Sequence, residues 1–348
     1  MTKKFQIKIV IMFILETEDI KYNLIKEIGK GGTCSVYKGY PSEDSSTLYA
    51  IKIYKEHCKP FYDKEISIHE TLKNINLFLS LKKSGIGYIY NKEENPLFIN
   101  ENNIYQIEKV YYLIEEIAEN GELFNYIYEL KKGFDEQICA KIFINIVKSV
   151  KLLHKKGIVH GDIKPENILV GNDFNIKLID FGFSQRVRKN DNIIYSTSGS
   201  DTYCSPEIRK AHIQGYDGIK SDIFSLGVLL FVIKVGKFPF NLSIYNDKRY
   251  RLIMSKNYEL YWDGFKKDNL SEEFKDLINH LICYDPSERL SLDEILRHPW
   301  IRKNSNYVEN NDNEDGKDYD KDYFYHSIDE DVVNELKYRR NYMNKNLR

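Results

Sequence analysis

The sequence predicts an α+β fold of two lobes, with strands gathered early in the chain and helices after them. Three observations lead there. Tyr22 to Gly29 alternates apolar and polar residues, as a strand with one buried face does. Residues 48–54 (LYAIKIY) form an apolar run of strand length that carries a single charge, Lys52. From Ile138 to His154 the apolar residues fall at 142, 143, 146, 147, 150 and 153, the stripe of a core-facing helix. With 348 residues, 42% of them apolar, the chain can bury a substantial core, and one two-lobed unit with short tails fits its length.

Composition excludes several classes. Lys+Arg of 51 against Asp+Glu of 52 leaves a net charge of −1, so no global field favours nucleic acid or an anionic membrane. Cys34, Cys58, Cys139, Cys204 and Cys283 are scattered with no Cys-x-x-Cys pair, against a zinc site or a disulfide framework, and a cytoplasmic or nuclear setting is the simplest fit. Residues 5–15 follow Lys3 and Lys4 and are the most apolar segment, but a spanning helix needs ~20 such residues and Lys8 interrupts the run. It does not span. A signal peptide would share this charge order but lacks an Ala-x-Ala-like cleavage site here, so secretion stays as one alternative beside a β-rich extension packed on the first lobe or a mis-called start.

The stretch that carries chemistry is Val159 to Asn167 (VHGDIKPEN), followed by Leu178 to Gly182 (LIDFG). Asp162, Lys164 two residues on and Asn167 three beyond that offer a proton acceptor, a phosphate counter-charge and a metal-binding amide oxygen. Asp180 adds a carboxylate suited to the Mg²⁺ that bridges nucleotide phosphates. Upstream, Gly29-Lys30-Gly31-Gly32-Thr33-Cys34-Ser35-Val36 reads as a turn whose glycines let backbone approach phosphates closely. Together these pieces resemble the catalytic loop, the Asp-Phe-Gly motif and the glycine-rich loop of eukaryotic protein kinases, and Lys164 in its Asp-Ile-Lys-Pro-Glu-Asn context is the form typical of serine/threonine kinases.

The resemblance implies the bilobal kinase fold: a small β-rich N-lobe with one regulatory helix, about 19–117, and a large, mainly helical C-lobe, about 118–301. Residues 1–18 precede it as an apolar extension. It also implies ATP and Mg²⁺ as cofactors, the nucleotide lying between the lobes, and a monomer acting on protein substrates. By resemblance, Lys52 grips the α- and β-phosphates and Glu65 orients it. Val36 and Ala50 pack on adenine, backbone groups of Glu116 to Ala118 receive it, and Leu169 lines the same site. Asn167 and Asp180 hold the metal, Lys164 contacts the transferred group, and Asp162 accepts or orients the substrate hydroxyl proton. Glu122, Glu166 and Ser200 fall on the substrate side, the two glutamates where kinases that prefer basic residues before the target contact them. His160, Asp222 and the pair Glu207 and Arg289 are structural anchors.

This chain departs from the family at several positions. Cys34 stands for the third glycine of the loop, and Asp201 for a proline of the activation segment. Glu115 aligns with the gatekeeper behind adenine, where a buried carboxylate needs a cationic neighbour unless the alignment slips by one. Glu70 would lie ~140° round the helix from Glu65 and stay solvated, while His69, one turn after Glu65, reads as core packing. Gly161 replaces an arginine that pairs with an activation-loop phosphate in many relatives, so Ser196, Thr197 and Ser198 are candidate acceptors without that partner. Such departures would also suit a pseudokinase scaffold or nucleotide-binding module. Against it, every charged group the family uses on phosphate or metal is present.

Two stretches read as irregular. Asn74 to Asn103, rich in Asn and Lys, is expected as a loop insertion. Residues 302–348 are expected to hold an acidic linker and a short helix, for Glu309 to Asp322 contains seven acidic and two basic side chains. That helix would start from a cap at Ser327, with Val332, Leu336 and Met343 on one face and Lys337, Arg339 and Arg340 on the other. Docking on the kinase, a partner helix, autoinhibition and fraying are its alternatives. The Gly-Glu-Leu-Phe segment at 121–124 and the His-Pro-Trp ending at 298–300 look most like the calmodulin-dependent kinase-like group.

Overall fold

The computed structural model describes residues 12–91, 107–188, 191–307 and 328–346. Their contacts divide the chain into two compact units, one of Met1–Ile75 with Leu79–Ala118 and one of Asn76–Phe78 with Glu119–Arg348.

Among the described residues, the first unit is a six-stranded barrel with one α-helix. Its strands are β1 (Phe13–Glu16), β2 (Lys21–Lys30), β3 (Cys34–Pro41), β4 (Tyr49–Lys55), β5 (Leu81–Asn91) and β6 (Glu108–Glu116), with helix α1 (Lys59–Thr71) between β4 and β5. The strand order β1-β2-β3-β4-β6-β5 closes on itself because β1 pairs with both β2 and β5, Leu15 facing Tyr22 on one side and Ile89 on the other. The alternation of β2 has its physical reason here: Tyr22 and Leu24 point into a core with Leu15, Tyr37, Ile51, Ile53, Val110, Tyr112 and Ile114. On β4 the neighbouring Tyr54 points the other way, joining Cys58, Tyr62, Tyr111 and Leu113 under α1.

One expectation is corrected in this unit. Residues 81–91 are not loop but strand β5, paired antiparallel with β6 from Leu81↔Glu115 to Ile89↔Glu108. Its lysines, glycines and outward residues hide the pattern: Ile86 and Tyr88 are about half exposed, so no buried face repeats cleanly along it. The rest of the expected insertion, residues 92–106, lies outside the described residues, as do residues 5–11 of the apolar run.

The second unit is mainly helical. After α2 (Leu123–Tyr128) comes α3 (Glu136–Lys155), then the short strands β7 (Ile158–Val159), β8 (Ile168–Val170), β9 (Ile176–Leu178), β10 (Gln185–Arg186) and β11 (Ile193–Ile194). Then follow α4 (Ala211–Gln214), β12 (Tyr216–Asp217), α5 (Gly218–Val235), α6 (Lys248–Met254), α7 (Tyr258–Asp263), α8 (Glu272–Leu281), α9 (Leu292–Arg297), α10 (Pro299–Asn304) and α11 (Glu330–Asn346). The α3 stripe is buried throughout, and Asp135 caps the helix by accepting from the Ile138 amide. Helix α5 is buried on every side, which fits its near-continuous apolar sequence. Glu136 joins three parts of this unit: its carboxylate accepts from the Ser271 amide and hydroxyl and from Trp300 Nε1.

Helix α11 packs on α2 and α3. Val332 and Leu336 are fully buried and Met343 nearly so. Arg339 is the correction: rather than standing with Lys337 and Arg340 on the face opposite Val332, Leu336 and Met343, it lies on their buried face and is 2% exposed. Its guanidinium lies 3.8 Å from the Phe134 ring centroid and donates to the main-chain oxygens of Tyr126, Lys132 and Gly133, with Glu335 on its Nε. A planar fork of five donors can be buried when nearly every donor finds an acceptor. At the other end of this element, Lys141 pairs with Asp329 and Asp331. The expected cap Ser327 and the acidic linker lie outside the described residues. Among the described residues no helix is long and apolar enough to cross a membrane.

Candidate active site

The loop between β7 and β8 is held from below by Asp222 of α5. Its carboxylate accepts from the amides of His160 and Gly161 at 2.8 and 2.9 Å, and His154 Nε2 lies 2.8 Å away. His160 is itself fixed: its Nδ1 accepts from the Asp162 amide at 3.2 Å, which leaves Nε2 to donate to Ile179 O at 3.1 Å. Phe181 packs on His160 and on Phe78. Gly161 adopts φ +77°, where a Cβ would stand 2.9 Å from the Phe183 carbonyl oxygen. A side chain there meets both backbone strain and a backbone atom.

Asp162, 3% exposed, collects donors on both oxygens. Lys164 Nζ at 2.7 Å and Asn167 Nδ2 at 3.0 Å reach one, and the Ser200 amide reaches the other at 2.8 Å. Lys164 also donates to Ser200 Oγ at 2.7 Å. Burial pushes the Asp162 carboxyl up, but Lys164 and Ser200 outweigh it and hold it below the usual aspartate value. Asn167 Nδ2 further donates to Asp162 O at 2.8 Å. Asp180 sits at φ +66°, the left-handed region, with its Oδ1 accepting from the Gly182 amide at 3.2 Å.

Glu122 and Glu166 are half-buried neighbours. Burial and the charge of Glu166 push the Glu122 carboxyl up. Glu166 Oε2 is buried with no hydrogen-bond partner among the described residues. Leu169 lies on β8, bridged to Glu122. In the activation segment Ser196 and Ser198 share a hydroxyl contact while Thr197 is exposed. Arg289, 2% exposed, makes a two-pronged pair with Glu207 at 2.6 and 2.8 Å.

The first unit brings Lys52 and Glu65 together as a buried ion pair. Ala50 faces Glu115 across β4 and β6, and Val36 faces Lys52 across β3 and β4. The Gly31 amide donates to Cys34 O in the turn from β2 to β3, and at Gly32 an added Cβ would meet nothing within 4 Å, so protein side chains leave that face of the turn open. Gly29 and Lys30 end β2 opposite Val36 and Ser35. Glu116 ends β6, its carboxylate accepting from the Ser80 amide, and Ala118 follows. None of the five cysteines is in a disulfide; Cys34 is half-buried and the rest are buried.

Two contacts were not foreseen. Tyr54 donates its hydroxyl to Glu65, so Glu65 takes two partners from β4. The signal was available, since Lys52 and Tyr54 share one face of a strand at i, i+2. The side chain that meets Glu115 is His69, its Nε2 at 2.8 Å, a cationic neighbour when the imidazole is protonated. His69 is buried as expected, though against two carboxylates rather than apolar side chains.

Comparison with known proteins agrees with this geometry. A profile of the protein kinase domain matches residues 22–301. The chain is similar to the serine/threonine-protein kinases cds1 and chk1 of Schizosaccharomyces pombe, each 30% identical, over 83% and 85% of this chain and 60% and 56% of theirs. It is similar as well to CBL-interacting protein kinase 10 of Oryza sativa, 28% identical over 81% of this chain and 57% of that one. The chain thus spans about a third to three-fifths of the length of the curated relatives it matches. With four-fifths of its length under that profile and the anchors Asp222, Arg289 and Glu207 engaged around its loop, the chain belongs to the eukaryotic protein kinase family.

Proposed function

We propose that this chain is a serine/threonine protein kinase that moves the γ-phosphoryl group of ATP to hydroxyls of protein substrates. The observation that carries the reading is Asp162: a buried carboxylate kept ionised by Lys164 and Ser200 and fixed in direction by Asn167. Such a group orients the incoming hydroxyl and accepts its proton as the bond to phosphorus forms. Lys164, bridging Asp162 and Ser200, is placed to offset charge on the transferred group.

The donor set suits Mg²⁺. Asn167 uses its amide nitrogen on Asp162, which turns its amide oxygen the other way, and the Asp180 carboxylate supplies a second hard oxygen. Bound there, Mg²⁺ would neutralise phosphate charge. Lys52, fixed by Glu65, would grip the nucleotide phosphates, and the open backbone at Gly32 would lie against them. Val36, Ala50, Leu169 and the backbone of Glu116 and Ala118 are assigned to adenine.

The carboxylates of Glu122 and Glu166 favour a substrate with arginine before the target residue, because the unpartnered Glu166 oxygen would gain a charge-assisted hydrogen bond. The segments at 121–124 and 298–300 support a reading within the calmodulin-dependent kinase-like group. The test is a peptide-library phosphorylation profile with Mg-ATP. Incorporation into Ser and Thr peptides with upstream basic residues supports the reading; incorporation into none, with ATP still bound, favours a pseudokinase scaffold.

A further inference from the structure

Helix α1 and strand β6 meet at a buried contact between a histidine and a carboxylate. His69 Nε2 lies 2.8 Å from Glu115 Oε1 and 3.8 Å from Glu65 Oε1, and the three residues are 5%, 3% and 2% exposed. Glu65 in turn receives Lys52 and the Tyr54 hydroxyl from β4. Charges therefore alternate along Lys52, Glu65, His69 and Glu115, from β4 through α1 to β6. Two carboxylates served by one lysine would leave a negative charge uncompensated in a dry core, which is strongly unfavourable. A protonated imidazole supplies the missing cation.

We propose that His69 is a positioning residue that, as an imidazolium between Glu115 and Glu65, pins α1 to β6 and so holds Glu65 on Lys52. Its effect on catalysis rests on the kinase reading; its charge state does not. The groups facing His69 include Glu65 from its own helix, Glu115 from β6 and, behind Glu65, Lys52 and Tyr54 from β4. Burial opposes the charge on His69, but the two carboxylates outweigh it and push the imidazole up to about 9. This link tethers the helix by a contact inside its own unit, without a loop phosphate and the arginine that Gly161 replaces.

The experiment uses the full chain. In nitrogen-15 spectra of histidine-labelled protein at about pH 8, where an ordinary imidazole is mostly neutral, both His69 ring nitrogens are expected to carry protons, the signal being assigned by its loss in His69→Gln. A neutral ring overturns the proposal. In parallel, His69→Leu and Glu115→Leu are each expected to lower kcat/KM for ATP about tenfold or more, and the double variant to recover to within about threefold of wild type, the non-additivity of residues in contact. The same cycle read by denaturant unfolding should also be non-additive, and strict additivity overturns the proposal. If a single variant does not fold, Glu115→Gln, which keeps shape and removes charge, takes its place. Should the wild type transfer no phosphate, the kinase reading falls while the spectra and unfolding cycle still decide the role of His69.

Discussion

Lys164 Nζ stands 2.7 Å from the Asp162 carboxylate, and the same ammonium reaches the Ser200 hydroxyl, so one cation ties the catalytic loop to the activation segment. Because Lys164 and Ser200 hold Asp162 below its ordinary pKa, its carboxylate stays charged as pH falls through the range where a free aspartate protonates. The acid limb of kcat/KM should therefore lie below about pH 4 wherever the protein remains folded. Lys164→Met removes the largest offset to burial and should move that limb upward, as a pH–rate profile of the two proteins would show.

Glu166 should act on substrate choice rather than on chemistry. Glu166→Gln removes the charge and keeps the shape, so the preference in kcat/KM for a peptide with upstream arginine over its alanine counterpart should fall by about tenfold. Rates on the alanine peptide should change little. Glu122→Gln should act in the same direction and less strongly, for burial and Glu166 already push its carboxyl up.

Arg339 holds α11 to three main-chain oxygens. Arg339→Ala leaves them buried and unpaired under an emptied Phe134 face, and should cost about 3 kcal/mol in denaturant unfolding. Arg339→Lys should recover only part of this, since an ammonium cannot reproduce the planar fork.

Gly161→Arg restores the side chain common in the family, yet here it should destabilise. The backbone at φ +77° and the Phe183 carbonyl beside the new Cβ should together cost about 1–2 kcal/mol, measured as a lower unfolding midpoint.

The folded protein raises the His69 imidazole to about 9, above its ordinary value near 6.5. A group raised on folding contributes stability fully below its unfolded pKa and loses it as pH climbs through the folded one. Stability should thus decline from about pH 6.5 to 9 and beyond, by on the order of 3 kcal/mol in this contribution. The decline should be absent from the double variant His69→Leu with Glu115→Leu, as unfolding free energies at neutral and alkaline pH would show.

How far the sequence could be read follows the range of each interaction. The helix at 138–154 is seen with the buried face that its spacing marks, whereas in the strand at 22–29 only Tyr22 and Leu24 are buried and Ile28 is exposed, past the first register shift between β2 and β3. Strand β5 escaped because its lysines and glycines serve an element with half-exposed residues, so no buried repeat marks it. The requirement that Glu115 have a cation was visible from the cost of burying a carboxylate, but its identity was not, since His69 and Glu115 meet only once α1 has folded against β6. Arg339 was misread against its own spacing: Val332, Leu336, Arg339 and Met343 stand at i, i+4, i+7 and i+11 and share one buried face, and its charge alone argued for the opposite one. The meeting of Asp162, Lys164 and Asn167 was legible because the three lie within six residues of one another in the chain.

The central claim is that Asp162 serves phosphoryl transfer. Its most direct measurement is transfer of labelled γ-phosphate from Mg-ATP to a basic Ser/Thr peptide by the full chain, beside an Asp162→Asn variant of equal thermal stability. The account predicts phosphopeptide from the wild type and a loss of about 10²-fold or more in the variant. Equal signal from both proteins would contradict it.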